Sequence, residues 1–313
     1  MPETTRPPPG AGLLYGAIET GGTKIQCALA RGVDAVLVSE RFATTSPSAT
    51  FAQIVGFFEK HQARYGPVSA FGIASFGPVD LDPRSPTYGH ILATPKAGWS
   101  DYDLRAELHE RFGKPVFVDT DVNAAALAEW HCRPSERLRS LVYVTVGTGI
   151  GGGFVLEGRT LPGPWHSEMG HIPVQRHPLD PQFAGVCPFH GDCLEGLASG
   201  PAIVARWGAP MSALLQHPDA CSIVGGYLGQ LAASIVLMLS PERVVFGGGV
   251  MMNGTLLPFV RRSARDRLGG YVRHELLRGT LEHYIVSPAL DDRAGICGAI
   301  VLASSGASAH ARR

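Results

Sequence analysis

Charge is scarce in this sequence, and what there is cancels. Only 17% of the 313 residues are charged, with 27 Lys and Arg against 27 Asp and Glu. A chain without net charge presents no electrostatic footprint for nucleic acid or an anionic membrane, so neither is expected as a partner. Cysteine is thin as well: six, at positions 27, 132, 187, 193, 221 and 297. That density excludes a small secreted disulfide scaffold, and the absence of a Cys-x-x-Cys pair argues against redox chemistry. No apolar run is expected to reach the roughly 18 residues of a spanning helix, and the start, "MPETTRPPPGAG", has no apolar h-region of a secretory signal. A cytoplasmic protein acting on a small molecule is the expectation that remains.

Apolar residues, at 45%, are enough for a large core, and the length favours two lobes over one domain. The Pro-rich residues 1–12 and the closing "SSGASAHARR" offer little apolar surface, so 1–12 and 305–313 are expected to be disordered tails. Between them two segments share a design. "LLYGAIETGGTKIQCALARG" from Leu13 and "LVYVTVGTGIGGGFVLEGR" from Leu141 each run apolar strand, Gly/Thr-rich turn, apolar strand. Each is followed by a shorter buried-strand signal, "SAFGIASFGPV" and "RVVFGGGVM", which suggests an internal duplication. Helical patterns such as "ATFAQIVGFFEKHQARYG", "DLRAELHERFG" and "VGGYLGQLAASIVLMLS" lie between the strands. The alternation predicts an α/β architecture, and two such lobes would place a ligand cleft between them.

The first turn holds Gly21, Gly22, Thr23 and Lys24 after Thr20; the second runs from Thr145 through Gly147, Thr148 and Gly149 to Gly153. Turns of this kind can aim backbone N–H groups and Thr hydroxyls at phosphate oxygens. Either one alone is equally well explained as a tight hairpin. Neither contains GxxxxGK[ST], and "GGFVLEGR" continues as a strand where a dinucleotide fold would open a helix. Two matched turns in a duplicated frame favour a phosphate clamp.

Asp121 stands where "VFVDTDVNAAALAEW" passes from a buried strand into an Ala-rich helix. It can serve as the N-cap, although Asp119 or Thr120 can do so instead. Equally, it can project as a general base that takes the proton of a hydroxyl attacking a γ-phosphate.

In "CPFHGDCLEG", Cys187, His190 and Cys193 supply three zinc ligands within one short loop. The alternative is a pair of buried cysteines beside an unrelated histidine. For the fourth ligand His166, His171 and His177 are candidates. His171 is selected because in "SEMGHIP" it stands three residues after Glu168, which shares a face if the segment is helical. Four protein ligands make the ion structural. Glu195, two residues beyond Cys193, would be set by the same loop to accept hydrogen bonds from sugar hydroxyls.

Taken together, "ETGGTK", "TDVNAAALAE", "TVGTGIGGG", "EMGH", "CPFHGDCLEGLASGPA" and "VVFGGGVM" resemble the motifs of the ROK family (repressor, open reading frame, kinase) from Tyr15 to about Ala303. Glu19 stands where the family's first motif usually has Asp. That Glu, the His in the zinc motif and "ATPKAGW" resemble the fructokinase-like subgroup. The resemblance implies a duplicated actin-like, ribonuclease-H-like fold. It has a small lobe over 13–120 joined by a C-terminal helix at 291–304, and a large lobe over 121–290. It implies Asp121 as base, with Gly77, Pro78, Thr94, Lys96, Asn123, Glu168, His171 and Glu195 on the sugar side. Gly21, Gly22, Thr23, Lys24, Thr145, Gly147, Thr148, Gly149, Gly248 and Gly249 fall to ATP, and His171, Cys187, His190 and Cys193 to structural Zn²⁺. The expected reaction is phosphorylation of a hexose by ATP with Mg²⁺, D-fructose to D-fructose 6-phosphate being favoured, in a homodimer. Glucokinase, N-acylmannosamine kinase and a non-catalytic sugar sensor are the alternatives; Asp121 and both glycine turns disfavour the sensor, and the dozen Pro-rich residues before the first strand, where the family's repressors add a helix-turn-helix, argue against DNA binding.

Overall fold

The computed structural model describes residues 12–94, 96–161 and 163–310; the N-terminal tail expectation otherwise lies outside them. The chain divides into two compact units. One holds the described residues up to Ala124 together with those from Gly295 onward, and the other spans Ala125–Ala294. These divisions fall a few residues later than the lobe boundaries expected from the sequence.

In the first unit, strands β1 (Tyr15–Thr20), β2 (Lys24–Ala30) and β3 (Val36–Ala43) form an antiparallel meander. Helix α1 (Pro47–Tyr65) then leads to β4 (Ala70–Ser75), α2 (Leu104–Phe112) and β5 (Val116–Thr120), with β4 and β5 parallel to β1; α3 (Asp121–His131) follows, and the division between the units falls within it. The second unit repeats the order: β6 (Ser140–Val146), β7 (Ile150–Leu156) and β8 (Arg159–Thr160) form the meander. After it come α4 (Leu194–Ala198), α5 (Gly200–Trp207), α6 (Pro218–Leu239), β9 (Val244–Gly247), α7 (Leu257–Leu268) and β10 (Ile285–Val286), and the chain then returns to the first unit as α8 (Ala294–His310). The sheet orders are β3-β2-β1-β4-β5 and, read from its other edge, β8-β7-β6-β9-β10. Every neighbouring pair matches in direction, so the duplication suggested by the two glycine hairpins extends through both sheets.

Local chemistry accounts for the elements. Helix α1 starts with Pro47 in its first turn, where a missing N–H costs nothing, and buries Ile54, Phe57 and Phe58 at helical spacing. Phe58 stacks edge-on against Phe71 of β4 with centroids 4.9 Å apart, and each such buried ring contributes about 1.5–3 kcal/mol. Asp103 caps α2 by accepting the Ala106 N–H at 2.8 Å, and Gly113 closes it in the left-handed region at φ 62°.

Two expectations need correction. Helix α6, at 22 residues and with a best 18-residue window of mean hydropathy 1.7, is by length and composition long and apolar enough to cross a membrane, where no such run was expected. Its apolar face is instead spent inside the second unit, where Tyr227, Leu228 and Leu231 are buried beside Phe246 of β9 and Val260 of α7. The C-terminal tail expected from residue 305 is helical through His310. Its Ala- and Ser-rich composition suits a helix, and Ala307 packs beside Phe117 of β5. Helix α8 belongs to the first unit and approaches its sheet closely. A Cβ at Gly72 of β4 would stand 2.0 Å from the Ala299 carbonyl oxygen, so only glycine fits there.

Candidate active site and metal cluster

The first glycine turn joins β1 to β2, closed by Gly21 N–H donating to the Lys24 carbonyl at 2.9 Å. Hydroxyls hold it: Thr44 donates to the Gly21 carbonyl at 2.8 Å, and Thr20 donates to Ser75 at 3.2 Å. Lys96, expected on the sugar side, brings its ammonium to the Gly22 carbonyl, beside this turn. Its loop is anchored by fully buried Trp99, whose indole N–H donates to the Thr45 carbonyl at 2.9 Å. Thr94 belongs to the same loop and ties to Ser100. Gly77 and Pro78 follow β4 through a cis peptide bond. Glu19 lies against α8, where a Cβ at Gly295 would come 2.4 Å from its carboxyl carbon.

Asp121 is the first residue of α3, and the capping question is settled by its neighbour. Thr120 Oγ1 accepts the Asn123 N–H at 3.2 Å, which is the bond of an N-cap. Asp119 fixes Asn123 by accepting from its side-chain amide at 2.7 Å, and takes the Thr120 N–H at 2.8 Å. Asp121, half-buried, accepts the Val122 N–H at 2.8 Å through Oδ1. A carboxylate at a helix N-terminus is favourably placed in the helix dipole. The far end of α3 is pinned by Glu129, fully buried, which accepts the Ala289 and Leu290 N–H groups at 2.9 Å each and pairs with Arg133 at 3.1 Å.

In the second unit, the turn between β6 and β7 closes with Gly147 N–H donating to Gly149 at 2.9 Å, and the Gly200 N–H donates to the Gly147 carbonyl at 2.7 Å. Gly248, at φ 90°, nests on the end of β6; a Cβ there would stand 2.4 Å from the Val146 carbonyl and 2.8 Å from Thr145 Oγ1. The structure thus brings Thr145, Gly147, Gly149 and Gly248 into one neighbourhood, with Thr148 at the turn's tip and Gly249 opening the 3₁₀ segment after Gly248.

The four expected metal ligands converge. His171 Nδ1 lies 3.7 Å from Cys187 Sγ and 3.6 Å from Cys193 Sγ, and His190 Nδ1 lies 3.7 Å from Cys187 Sγ. Ligand atoms from all four residues lie within 4.8 Å of one another. Tetrahedral zinc, with bonds of about 2.3 Å to sulfur and 2.0–2.1 Å to nitrogen, puts S and N roughly 3.6 Å apart, so the donor set and its spacing fit that ion. Burial pushes the Cys193 thiol up, helped by neighbouring Cys187, while the Gly196 and Glu195 backbone N–H groups pull the other way. A bound cation reverses that balance and holds the thiolate. The loop closes through reciprocal Cys187 and Gly191 backbone bonds at 3.1 and 2.9 Å. Arg206 of α5 braces the segment from both sides, with two bonds to Asp180 at 3.1 and 3.0 Å and one to the Leu197 carbonyl at 2.9 Å.

His171 closes a 3₁₀ turn, Met169–His171, that Glu168 precedes. Three residues per turn is the geometry that aligns positions 168 and 171. The turn is seated on β7, since a Cβ at Gly170 would lie 2.0 Å from the Ile150 carbonyl. His171 Nε2, opposite the nitrogen that faces the sulfurs, is 3.9 Å from Glu195 Oε1. His166, which the sequence offered only as a candidate ligand, is nearly buried with Nδ1 3.3 Å from Glu168 Oε1, while Glu168 is 52% exposed. Its signal was present in the alternation "HSE", a histidine two residues before a carboxylate.

Known proteins share this architecture. The ROK family matches residues 15–305. A fructokinase of Zymomonas mobilis is 45% identical over 93% of this chain and 96% of its own length. A fructokinase of Lactococcus lactis subsp. cremoris is 38% identical over 90% and 93%. Among solved structures, a ROK hexokinase from Thermus thermophilus superposes with a TM-score of 0.77 at 27% identity, covering 95% of this chain and all of that one.

Proposed function

The chain belongs to the ROK family, and from that premise we propose that it is an ATP-dependent fructokinase that converts D-fructose to D-fructose 6-phosphate. The observation that carries the reading is that relatives named fructokinase match 88–94% of it at 36–45% identity. Asp121 acts as the general base and removes the proton of the sugar's primary hydroxyl. That oxygen then forms a bond to the γ-phosphorus in line with the breaking bond to the bridging oxygen, and ADP leaves. Little covalent chemistry is asked of the protein, so positioning and charge neutralisation supply most of the rate.

Glu168 and Glu195 accept hydrogen bonds from sugar hydroxyls and His171 assists them, while Asn123, Thr94, Gly77 and Pro78 complete the sugar contacts. Backbone N–H groups of Gly21, Gly22, Gly147 and Gly149 and the hydroxyls of Thr23, Thr145 and Thr148 bind phosphate oxygens, with Lys24 and Lys96 as cations. Gly248 and Gly249 allow close approach on the adenosine side. Mg²⁺ arriving with ATP neutralises phosphate charge. Zinc held by His171, Cys187, His190 and Cys193 is structural, because four protein ligands leave no open position. The protein works in the cytoplasm as a homodimer, independently of nucleic acid and membrane.

Coupled ADP production with Mg-ATP and fructose, glucose, mannose or N-acetylmannosamine in turn tests the reading. Fructose-selective turnover is expected. Selectivity for another sugar would overturn the substrate, and no turnover with any sugar from folded, zinc-loaded protein would overturn the enzyme.

A further inference from the structure

Helix α7 carries a second stripe beside its buried one. Leu257, Val260, Ala264 and Leu268 face the core, while Phe259, Arg262, Ser263, Asp266 and Arg267 recur at spacings of three and four along another face. With Ser222 and Gly226 of α6 and the loop at His177, that stripe lines a cleft of about 340 Å³, at the small end of the range for ligand sites. All of its walls belong to the second unit, and none of the residues assigned to sugar, phosphate or metal lines it.

Its donors are set in advance. His177 Nδ1 accepts the Leu179 N–H at 3.2 Å, and burial pushes the imidazole below its ordinary value, so the neutral ring carries its proton on Nε2. That edge of the ring lies over Gly226, where a Cβ would stand 2.8 Å from Cδ2 and 3.3 Å from Nε2. Gln230 of α6 fixes the Gln175 main chain through two bonds of 2.8 Å, and Gln175 Oε1 in turn accepts from Arg267 at 3.0 Å. Arg262 lies over the Phe259 ring, its guanidinium carbon 5.4 Å from the centroid. Neither arginine has a carboxylate partner among the described residues; Asp266, the carboxylate of the cleft, lies 4.0 Å from Arg265 Nε.

From this geometry we infer that the cleft between α6, α7 and the His177 loop is a second binding site, for a small phosphate monoester that also carries hydroxyls. Guanidinium forks match phosphate oxygens, so Arg262 and Arg267 take the phosphoryl group from one helix face, with the His177 Nε2–H as a neutral third donor. Asp266 decides the rest of the ligand. A molecule that is anionic throughout would meet its charge, whereas a hydroxyl donates to it. Ser222, on the α6 wall, both donates and accepts, and so suits another hydroxyl of the same ligand. The arginines supply affinity, and the serine and the aspartate separate a hydroxylated monoester from phosphate alone.

The probe is glycerol 3-phosphate, titrated calorimetrically into the full chain, with glycerol and inorganic phosphate in parallel. Saturable binding of glycerol 3-phosphate is expected, with none of glycerol and inorganic phosphate weaker by about tenfold, the size of one lost hydrogen bond to a charged group. Arg262→Gln and Arg267→Gln should each weaken the monoester about tenfold or more for the same reason. Ser222→Leu keeps both charges but fills the cleft, and should abolish binding. No saturable binding by wild type overturns the site. Binding that survives all three substitutions belongs to the glycine turns and overturns it equally, and inorganic phosphate that binds as tightly as the monoester overturns the choice of ligand. If Arg267→Gln unsettles the loop through Gln175, seen as a lowered urea midpoint, Arg262→Gln and Ser222→Leu decide alone. Sugar-dependent ADP release by Arg262→Gln, without the monoester, should match wild type; a loss there would overturn the cleft's separateness from the reaction. Absence of any such release from wild type would count against the fructokinase reading and leave the binding result standing.

Discussion

The two glycine hairpins occupy the same place in the same topology, yet different parts of the chain hold them. The first is braced from within its own repeat, by Thr44 on the Gly21 carbonyl and by the Thr20–Ser75 pair. The second is braced by Glu195 and Gly200, which belong to a segment the first repeat lacks. In the first repeat only residues 44–46 separate β3 from α1, whereas in the second residues 161–217 separate β8 from α6. That insertion carries Glu168, the metal cluster, α4 and α5. A duplicated frame supplied two equivalent turns, and one insertion supplies the groups that hold the second.

The strongest challenge to this picture is to compare the carboxylates that precede the closing helix of each repeat. Asp121→Asn is expected to lower turnover by about 10²–10⁴-fold, the range for loss of a general base. Asp291, before α8, sits in the left-handed region at φ 51°, which Asn also tolerates, so Asp291→Asn should leave turnover unchanged. Steady-state ADP assays on both decide it, and equal effects would mean that the repeats share the chemistry. Next in size is Cys193→Ala, which should destabilise the second unit by on the order of 4 kcal/mol, as losses of a structural metal do. Limited proteolysis would show cuts appearing between residues 161 and 217; cuts appearing first in the first repeat would refute the insertion's separate dependence on the cluster.

A smaller contrast separates the turns directly. Gly149→Ala forces the Glu195 carboxylate aside, an overpacking expected to cost about 1–3 kcal/mol, whereas a Cβ at Gly22 meets nothing within 4 Å. Urea unfolding of the two variants should show a lowered midpoint only for the former, and a matching loss in Gly22→Ala would mean that the first turn is equally crowded. Smallest is Thr44→Val, which removes one hydrogen bond to the first turn and should cost about 0.5–1.5 kcal/mol. A thermal melt measures it, and no shift at all would leave that turn's bracing unexplained.

Much of the site was legible because its parts are local. Three metal ligands within seven residues, two glycine turns between apolar strands, and a carboxylate at a strand-to-helix junction each declare themselves within a short window. His171 was reachable because its spacing from Glu168 matches one helical turn, and the structure supplies that turn as 3₁₀. The hidden parts depend on contact over distance. The bond from Ile150 to Glu195 spans 45 residues, and no periodicity announces it. Lys96 reaches the first turn across 74 residues, which composition could not foretell. The capping assignment stayed open because Asp119, Thr120 and Asp121 all suit an N-cap, and only backbone geometry selects Thr120. Helix α6 was underread as a candidate span because Gly and Gln interrupt its apolar run without ending the helix.

The seating of α8 on the first sheet has a consequence for how the protein is made. Strands β1, β4 and β5 leave the ribosome early, but the helix that lies against Gly72 and Phe117 comes roughly 170 residues after β5, or about 9–35 s later at 5–20 residues per second. Until then the face formed by Tyr15, Ala70 and Phe117 has no native cover. The half of the enzyme that is translated first is therefore the half completed last, and during synthesis that uncovered apolar face is where a chaperone has most to protect.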